Sequence, residues 1–212
     1  MPTRLDIIER VRRHVYGEQP SDDAAITENL VNAWMNDGIA IAAKQNWKES
    51  IQLDGVSYVN NSFYCTYRGI PIVQDDEQFI YTMTLPQIPL GLGRNEGISV
   101  LQVVSPDGAV SDPLIPISEA QFGYMRGQRK IPNKIMYLPE GTFCYIISTL
   151  QLFPYTGKVR MISGGDRTDL NSIVNLPDES VSMVVDYCSK MLMQEVAIPK
   201  DNTIDGVDNR GK

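Results

Sequence analysis

The sequence predicts an α+β protein with helices at both ends and a β-rich middle. Apolar residues recur at helical spacing in the first 48 residues and again after Pro177. Between these regions the period shortens to that of strands. Nine of the thirteen prolines lie between Pro71 and Pro154, which nearly excludes long helices there. The resulting division is a helical hairpin over 1–48, a β-rich region over 49–168, a C-terminal amphipathic helix over 169–197 and a flexible, extended tail over 198–212. The C-terminal helix is expected to pack with the N-terminal helices.

Leu5, Ile8, Val11 and Val15 predict a first amphipathic helix ending near Tyr16-Gly17. Pro20 starts a second, with Ser21 as cap and Asp22 and Asp23 in its first turn. Ile26, Leu30, Ala33 and Trp34 make one face of it, and the pattern continues through Ile41 to about Lys44. Gly38 weakens this helix by about 1 kcal/mol relative to alanine. From Glu49 the period changes. Ser57-Tyr58-Val59 and Phe63 to Tyr67 flank Asn60-Asn61-Ser62 and predict a β-hairpin.

Further strands are predicted at Phe79–Met83, Ile98–Val104, Ile135–Leu138, Phe143–Ile147 and Lys158–Ile162. Turns are expected at Pro106-Asp107-Gly108 and Pro139-Glu140-Gly141. Strands this short, with turns at this spacing, suit a small sandwich or barrel. Ser118 and Gln121 have the spacing of a capping box, so one short helix interrupts the strands. The last helix starts after Leu176-Pro177, with Asp178 and Glu179 placed where its dipole favours negative charge. Val181, Val184, Val185, Cys188 and Leu192 form one apolar stripe. Met183, Tyr187 and Met191 form a second beside it. Together they cover roughly 200° of the helix, wider than one core contact needs. The first stripe is read as intramolecular core and the second as a candidate subunit interface. The polar tail from Lys200 is expected to order only on a partner.

The 212 residues carry a net charge of −7, which argues against a protein whose main task is gripping nucleic acid. No apolar run approaches the roughly 20 residues that span a bilayer. The N-terminus mixes Arg4, Arg10, Arg12 and Arg13 with Asp6 and Glu9 and has no apolar core, so no signal peptide is read. Cys65, Cys144 and Cys188 are odd in number and far apart, which fits reduced, buried thiols.

Few residues suit chemistry. The only histidine, His14, sits beside Arg12 and Arg13 on a solvated helix, whereas hydrolases of the serine or cysteine type need a histidine beside a nucleophile. No Cys/His cluster suits zinc. Gly91, Gly93 and Gly97 depart from dinucleotide-loop spacing and open no helix. Asp201, Thr203, Asp205 and Gly206 imitate the start of a calcium loop, but its twelfth position is Lys212. No catalytic, cofactor or metal residues are therefore assigned. Asp75, Asp76 and Glu77 read as a solvated turn, with a carboxylate hydrolase as the alternative. Arg126, Arg129, Lys130 and Lys134 place four cations in nine residues and form a candidate contact for DNA or an acidic partner; a plain solvated loop is the competing reading.

The layout resembles a known family. It is carried by Gln45-Asn46-Trp47 at the end of the helical pair, and by Thr84-Leu85-Pro86 with Pro89 and Gly97-Ile98-Ser99-Val100 in the β-rich middle. Asp169-Leu170 ahead of Leu176-Pro177-Asp178 and the Asp205-Gly206 tail complete it. The chain resembles the head-to-tail connector ring proteins of short-tailed phages, in particular those below the portal in crAss-like phages. In layout it is also similar to the tail tubular protein A, or gatekeeper, adaptors. The resemblance covers nearly all of the chain through short, non-catalytic motifs.

It implies a structural virion protein and not an enzyme: a homo-oligomeric ring subunit, a dodecamer, at the head–tail junction, assembled in the host cytoplasm. The implied partners are the portal protein and neighbouring tail and ring proteins, with double-stranded DNA passing through the channel. No cofactor and no membrane are implied. The alternatives are a tail-associated hydrolase using carboxylates near Asp75 and Glu77, and a DNA-binding module using Arg126 to Lys134. The hydrolase requires a deep pocket holding two carboxylates.

Overall fold

The computed structural model describes residues 1–16, 24–56, 58–75, 79–91, 97–128, 134–148, 152 and 154–197. Among the described residues it is an α+β fold of four helices and one seven-stranded sheet. Helix α1 (Arg4–Tyr16) begins at a capping box that sequence reading overlooked. Thr3 N donates to Asp6 Oδ2 (2.9 Å) and Asp6 N donates to Thr3 Oγ1 (3.1 Å), so two free backbone donors are satisfied reciprocally. Ile7, Ile8 and Val11 are fully buried.

Helix α2 (Ala24–Asp54) passes the expected end near Lys44 and runs for 31 residues, roughly 46 Å. It stops at Gly55, which adopts φ +69° and donates its N–H to the Ile51 carbonyl (3.0 Å). The cap residues expected at Pro20 to Asp23 lie outside the described residues. The buried face of α2 is Val31, Met35, Ile39, Ala42 and Ala43, which corrects the predicted face except at Trp34, packed against the helical core. Ala33 and Ile41 are exposed, and Leu30 and Trp34 are half-buried. A helix apolar on several sides does not reveal its inner face by periodicity, whereas small Ala42 and Ala43 accept close neighbours.

The predicted hairpin across Asn60-Asn61-Ser62 does not form. Asn60 caps a 3-10 turn (Asn61–Phe63), and its side chain accepts from Ser62 N (3.0 Å). This local bond competes with strand pairing. Val59 and Phe63 both turn into the helical core. Only the second run continues as a strand, β1 (Tyr64–Gln74).

The other strands are β2 (Ile80–Thr84), β3 (Ile98–Val104), β4 (Ile115–Pro116), β5 (Met136–Glu140), β6 (Phe143–Ile147) and β7 (Thr156–Ile162). Their order is β3-β7-β1-β2-β6-β5-β4, antiparallel except for the short β4–β5 pair. The single sheet curls into a half-barrel, which excludes the sandwich alternative. Strand β1 makes the curl. Its first half pairs with β7 and its last three residues pair with β2, with a register shift between Tyr67 and Ile70. Gly69 there adopts φ +71°, a conformation that side chains with a Cβ resist.

Ile72, Met83, Leu101, Ile146, Val159 and Met161 fill the concave side. Each such side chain contributes about 1.5–3 kcal/mol on burial. Helix α3 (Glu119–Gln128) covers a smaller cluster of Ile117, Met136 and Ile147. Its capping box forms as the spacing predicts: Ser118 N donates to Gln121 Oε1 (2.9 Å). Helix α4 (Asp178–Ala197) packs on α1 and α2.

The helical layer is joined to the sheet through Arg4, whose side chain is fully buried. Nε donates to Asn32 Oδ1 (2.7 Å), Nη2 to the Asn32 carbonyl (2.9 Å), and Nη1 to Asn36 Oδ1 (3.1 Å) and the Gly164 carbonyl. Arg4 N also donates to the Ser172 carbonyl (3.1 Å) and Val174 N to the Pro2 carbonyl (2.9 Å). Burial, reinforced by Arg167, pulls the guanidinium pKa down to about 10, so Arg4 still carries its charge at neutral pH.

Two outcomes are expected. Arg4→Ala leaves two buried and two part-buried acceptors without their donor and, at the low end of about 1–3 kcal/mol per unsatisfied group, lowers stability by about 3–5 kcal/mol in urea unfolding. The exposed Arg10→Ala stays within about 0.5 kcal/mol, and equal losses at the two sites would refute the role of Arg4. In acid, hydrogen bonds from Thr3 to Asp6 and from Thr168 to Asp166 hold both carboxyls below the ordinary aspartate range. Their folded pKa values lie below the unfolded ones, so their contribution is present above the unfolded value and lost as pH falls through the folded value. Asp6→Asn with Asp166→Asn should therefore flatten the acid limb of thermal stability below about pH 5.

Candidate functional site

Pro177 and two acidic residues launch α4, and its first stripe is buried as the spacing predicts: Val181, Val184, Val185, Cys188 and Leu192. Met183, Tyr187 and Met191 are half-buried. Met183 and Tyr187 pack against the helical core of their own chain. The two stripes are therefore not cleanly separate, because part of the second is shared with the monomer core.

The sharing arises at Gly38 of α2. A Cβ there would lie 3.2 Å from Tyr187 Cδ1 and 3.2 Å from Val184 Cγ1. The missing side chain opens a notch that the Tyr187 ring fills. Burial, followed by the charge of Asp37, pushes the Tyr187 phenol pKa up. Trp34 and Ile41 stand four residues before and three after Gly38, on the same face of α2. Ile41 is 45% exposed and Trp34 half-buried. The outer surface of the α2–α4 pair is thus a half-exposed apolar seam: Trp34 and Ile41 on one helix, Met183, Tyr187 and Met191 on the other.

Of the four candidate cations, two lie among the described residues. Arg126 belongs to the last turn of α3, and Lys134 is exposed just before β5. Arg129 and Lys130 lie outside the described residues. So do Asp76, Glu77 and the tail with its calcium-loop imitation.

Asp75 lies at the wall of a cavity of about 760 Å3. It is a half-open space bordered by the end of β1, the start of α3 and the β5–β6 hairpin. Glu119 and Glu140 join Asp75 there, together with Phe122 and Tyr145, whose ring centroids are 6.0 Å apart at 54°. Both glutamates are exposed, and Asp75 is intermediate. Sequence reading singled out Asp75 alone, since three carboxylates on separate elements leave no local pattern. A smaller cleft of about 250 Å3 opens between the edge strands β3 and β4.

His14 is exposed near the end of α1. All three cysteines are free, with Cys144 and Cys188 fully buried. Burial pushes the Cys188 thiol up to about 12, which keeps it protonated and non-nucleophilic at neutral pH. Among the described residues no three His, Cys, Asp or Glu side chains are grouped to hold a metal ion. No helix among them is long and apolar enough to cross a membrane. Sequence reading also missed Arg4, although its signal was present: Arg4, Ile8 and Val11 share one helical face.

The chain matches no protein-family model and no curated protein.

Thiol reactivity follows from these environments. With a disulfide reagent at about pH 8, the native protein should release one thiol quickly, from the half-buried Cys65, and two more only on unfolding. Three fast thiols would contradict the burial of Cys144 and Cys188.

Proposed function

We propose that this chain is a structural, non-catalytic virion protein. It is one subunit of a homo-oligomeric ring, a dodecamer, in the head-to-tail connector below the portal, through which phage DNA passes. The reading starts from the family resemblance in the sequence. The observation that carries it is the half-exposed seam of Trp34, Ile41, Met183, Tyr187 and Met191. A second copy covering this seam removes apolar area from water, which contributes about 25 cal/mol per Å2, and repetition around a closed ring satisfies every copy. In this reading Arg126, Arg129, Lys130 and Lys134 face DNA or an acidic neighbouring layer, and the portal and tail proteins are the flanking partners.

A second reading, a tail-associated hydrolase, is favoured by the cavity that holds Asp75, Glu119 and Glu140. Glycoside cleavage needs two carboxyls about 5–9.5 Å apart across the scissile bond, one of them able to donate a proton.

The seam is tested with Ile41→Asp and Met191→Asp, which avoid the Tyr187 ring in its notch. The double variant should keep its circular dichroism spectrum and unfolding midpoint but fail to enter rings or virions by negative-stain microscopy. Normal incorporation of the variant would overturn the interface. Turnover of oligosaccharides by the unaltered protein, abolished by Glu119→Gln or Glu140→Gln, would replace the structural reading with the hydrolase.

A further inference from the structure

A ring of more than two copies cannot close through one patch that meets itself, because such a patch gives a two-fold dimer. Neighbours in a ring join two different patches of the same chain. Resting on the ring reading, we propose that the second patch is the end of α2: its apolar knob of Ile51, Leu53, Val56 and Tyr58 docks on the seam of the next copy. All four side chains are exposed, Leu53 at 83% and Val56 at 62%. No other eight-residue stretch of the described residues exposes four large apolar side chains. Single apolar residues are ordinary on a surface, whereas a contiguous group marks an interaction site.

The knob is held in place before any partner arrives. Ser50 is buried, its Oγ lies 2.8 Å from the Trp47 and Tyr58 carbonyls, and it accepts from Tyr58 N (3.1 Å). Tyr58 OH donates to Asp54 Oδ2 (2.7 Å), and Asn60 N donates to Asn46 Oδ1 (2.9 Å). The turn is thus tied back to α2, so docking orders little that is not ordered already. Leu53 lies about 18 Å beyond Ile41 along the helix axis. Each copy can therefore offer its knob to one neighbour and its seam to the other. The shapes match: a helix end is convex and about 10 Å across, and the crease between two packed helices, with axes about 8–10 Å apart, is concave. Asp54 is the one charge within residues 51–58. Lys44 and Lys190 are exposed one turn beyond Ile41 and Tyr187 and give it opposite charges to meet. Asp37 and Asp186, exposed on the same two helices, disfavour the reverse placement. Exposed charges of this kind orient the contact more than they strengthen it.

The test uses the 212-residue chain in sedimentation velocity at concentrations up to about 1 mM. A knob variant carries Leu53→Asp with Val56→Asp, and a seam variant carries Ile41→Asp with Met191→Asp. Circular dichroism and unfolding midpoints should match those of the unaltered protein; Leu53→Ser with Val56→Ser replaces the knob variant if the aspartates lower its midpoint. Each variant alone has lost one of the two patches and should stay monomeric. Mixed in equal amounts, the two should form a heterodimer and nothing larger, through the intact seam of the first and the intact knob of the second. Dimers of the knob variant alone would mean that the seam meets itself, which overturns this inference and keeps the seam as an interface. Self-association of the seam variant alone would remove the seam, and the interface of the ring reading would fall with the inference. Absence of the heterodimer from the mixture would overturn the pairing of knob with seam.

Discussion

Arg4 sits where three parts of the chain meet: the start of α1, the middle of α2 and the connection that leaves β7 for α4. Its guanidinium has no carboxylate ion-pair partner among the described residues and is held by neutral oxygens of Asn32, Asn36 and Gly164. A buried charge held this way is costly to desolvate, and hydrogen bonds repay the cost only when nearly all donors are used. The arrangement is therefore intolerant of slippage. Sliding α1 by one residue along α2 would leave both the cation and its acceptors unpaired. The position of α4 follows, because the connection that Arg4 and Pro2 secure delivers the chain to Val174 and Leu176 in the helical core.

The second constraint is the long, bent β1. Because its two halves pair with different strands around Gly69, the sheet curls instead of splitting into two layers. The curl leaves a concave core and two edges. The β3 edge is partly protected: Leu101 and Val103 carbonyls accept from Leu114 N (2.8 Å) and Ser111 N (2.8 Å), which removes part of an open template for edge pairing. At the other end of the sheet, α3 lies over the β5–β6 hairpin without filling the space beneath it, and the acidic cavity results.

The proposed assembly surface and the acidic cavity thus belong to different layers. The seam belongs to the helical layer that Arg4 holds in register. The cavity belongs to the sheet and to the short helix inserted between β4 and β5. The two layers meet at β7, whose Ile162 packs into the helical core while Val159 and Met161 pack into the core of the sheet.

Much of this was legible in the residues themselves. Helical spacing located α1 and α4, and the buried stripe of α4 emerged residue by residue, because a helix with one strongly apolar face declares that face. Strands β2, β3, β5, β6 and β7 were placed within a residue or two by alternating residues and by turns that need glycine. The Ser118–Gln121 cap was legible because a capping box is local. What sequence left open was long-range. The inner face of α2 was decided by the fit of Tyr187 into the Gly38 notch, and α2 is apolar on too many sides for periodicity to choose. The Asn60 side chain overrode the hairpin, since its bond to Ser62 satisfies the backbone before any strand can pair. The grouping of Asp75, Glu119 and Glu140 depends on which strands become neighbours. That is an outcome of tertiary packing, and no spacing along the chain encodes it.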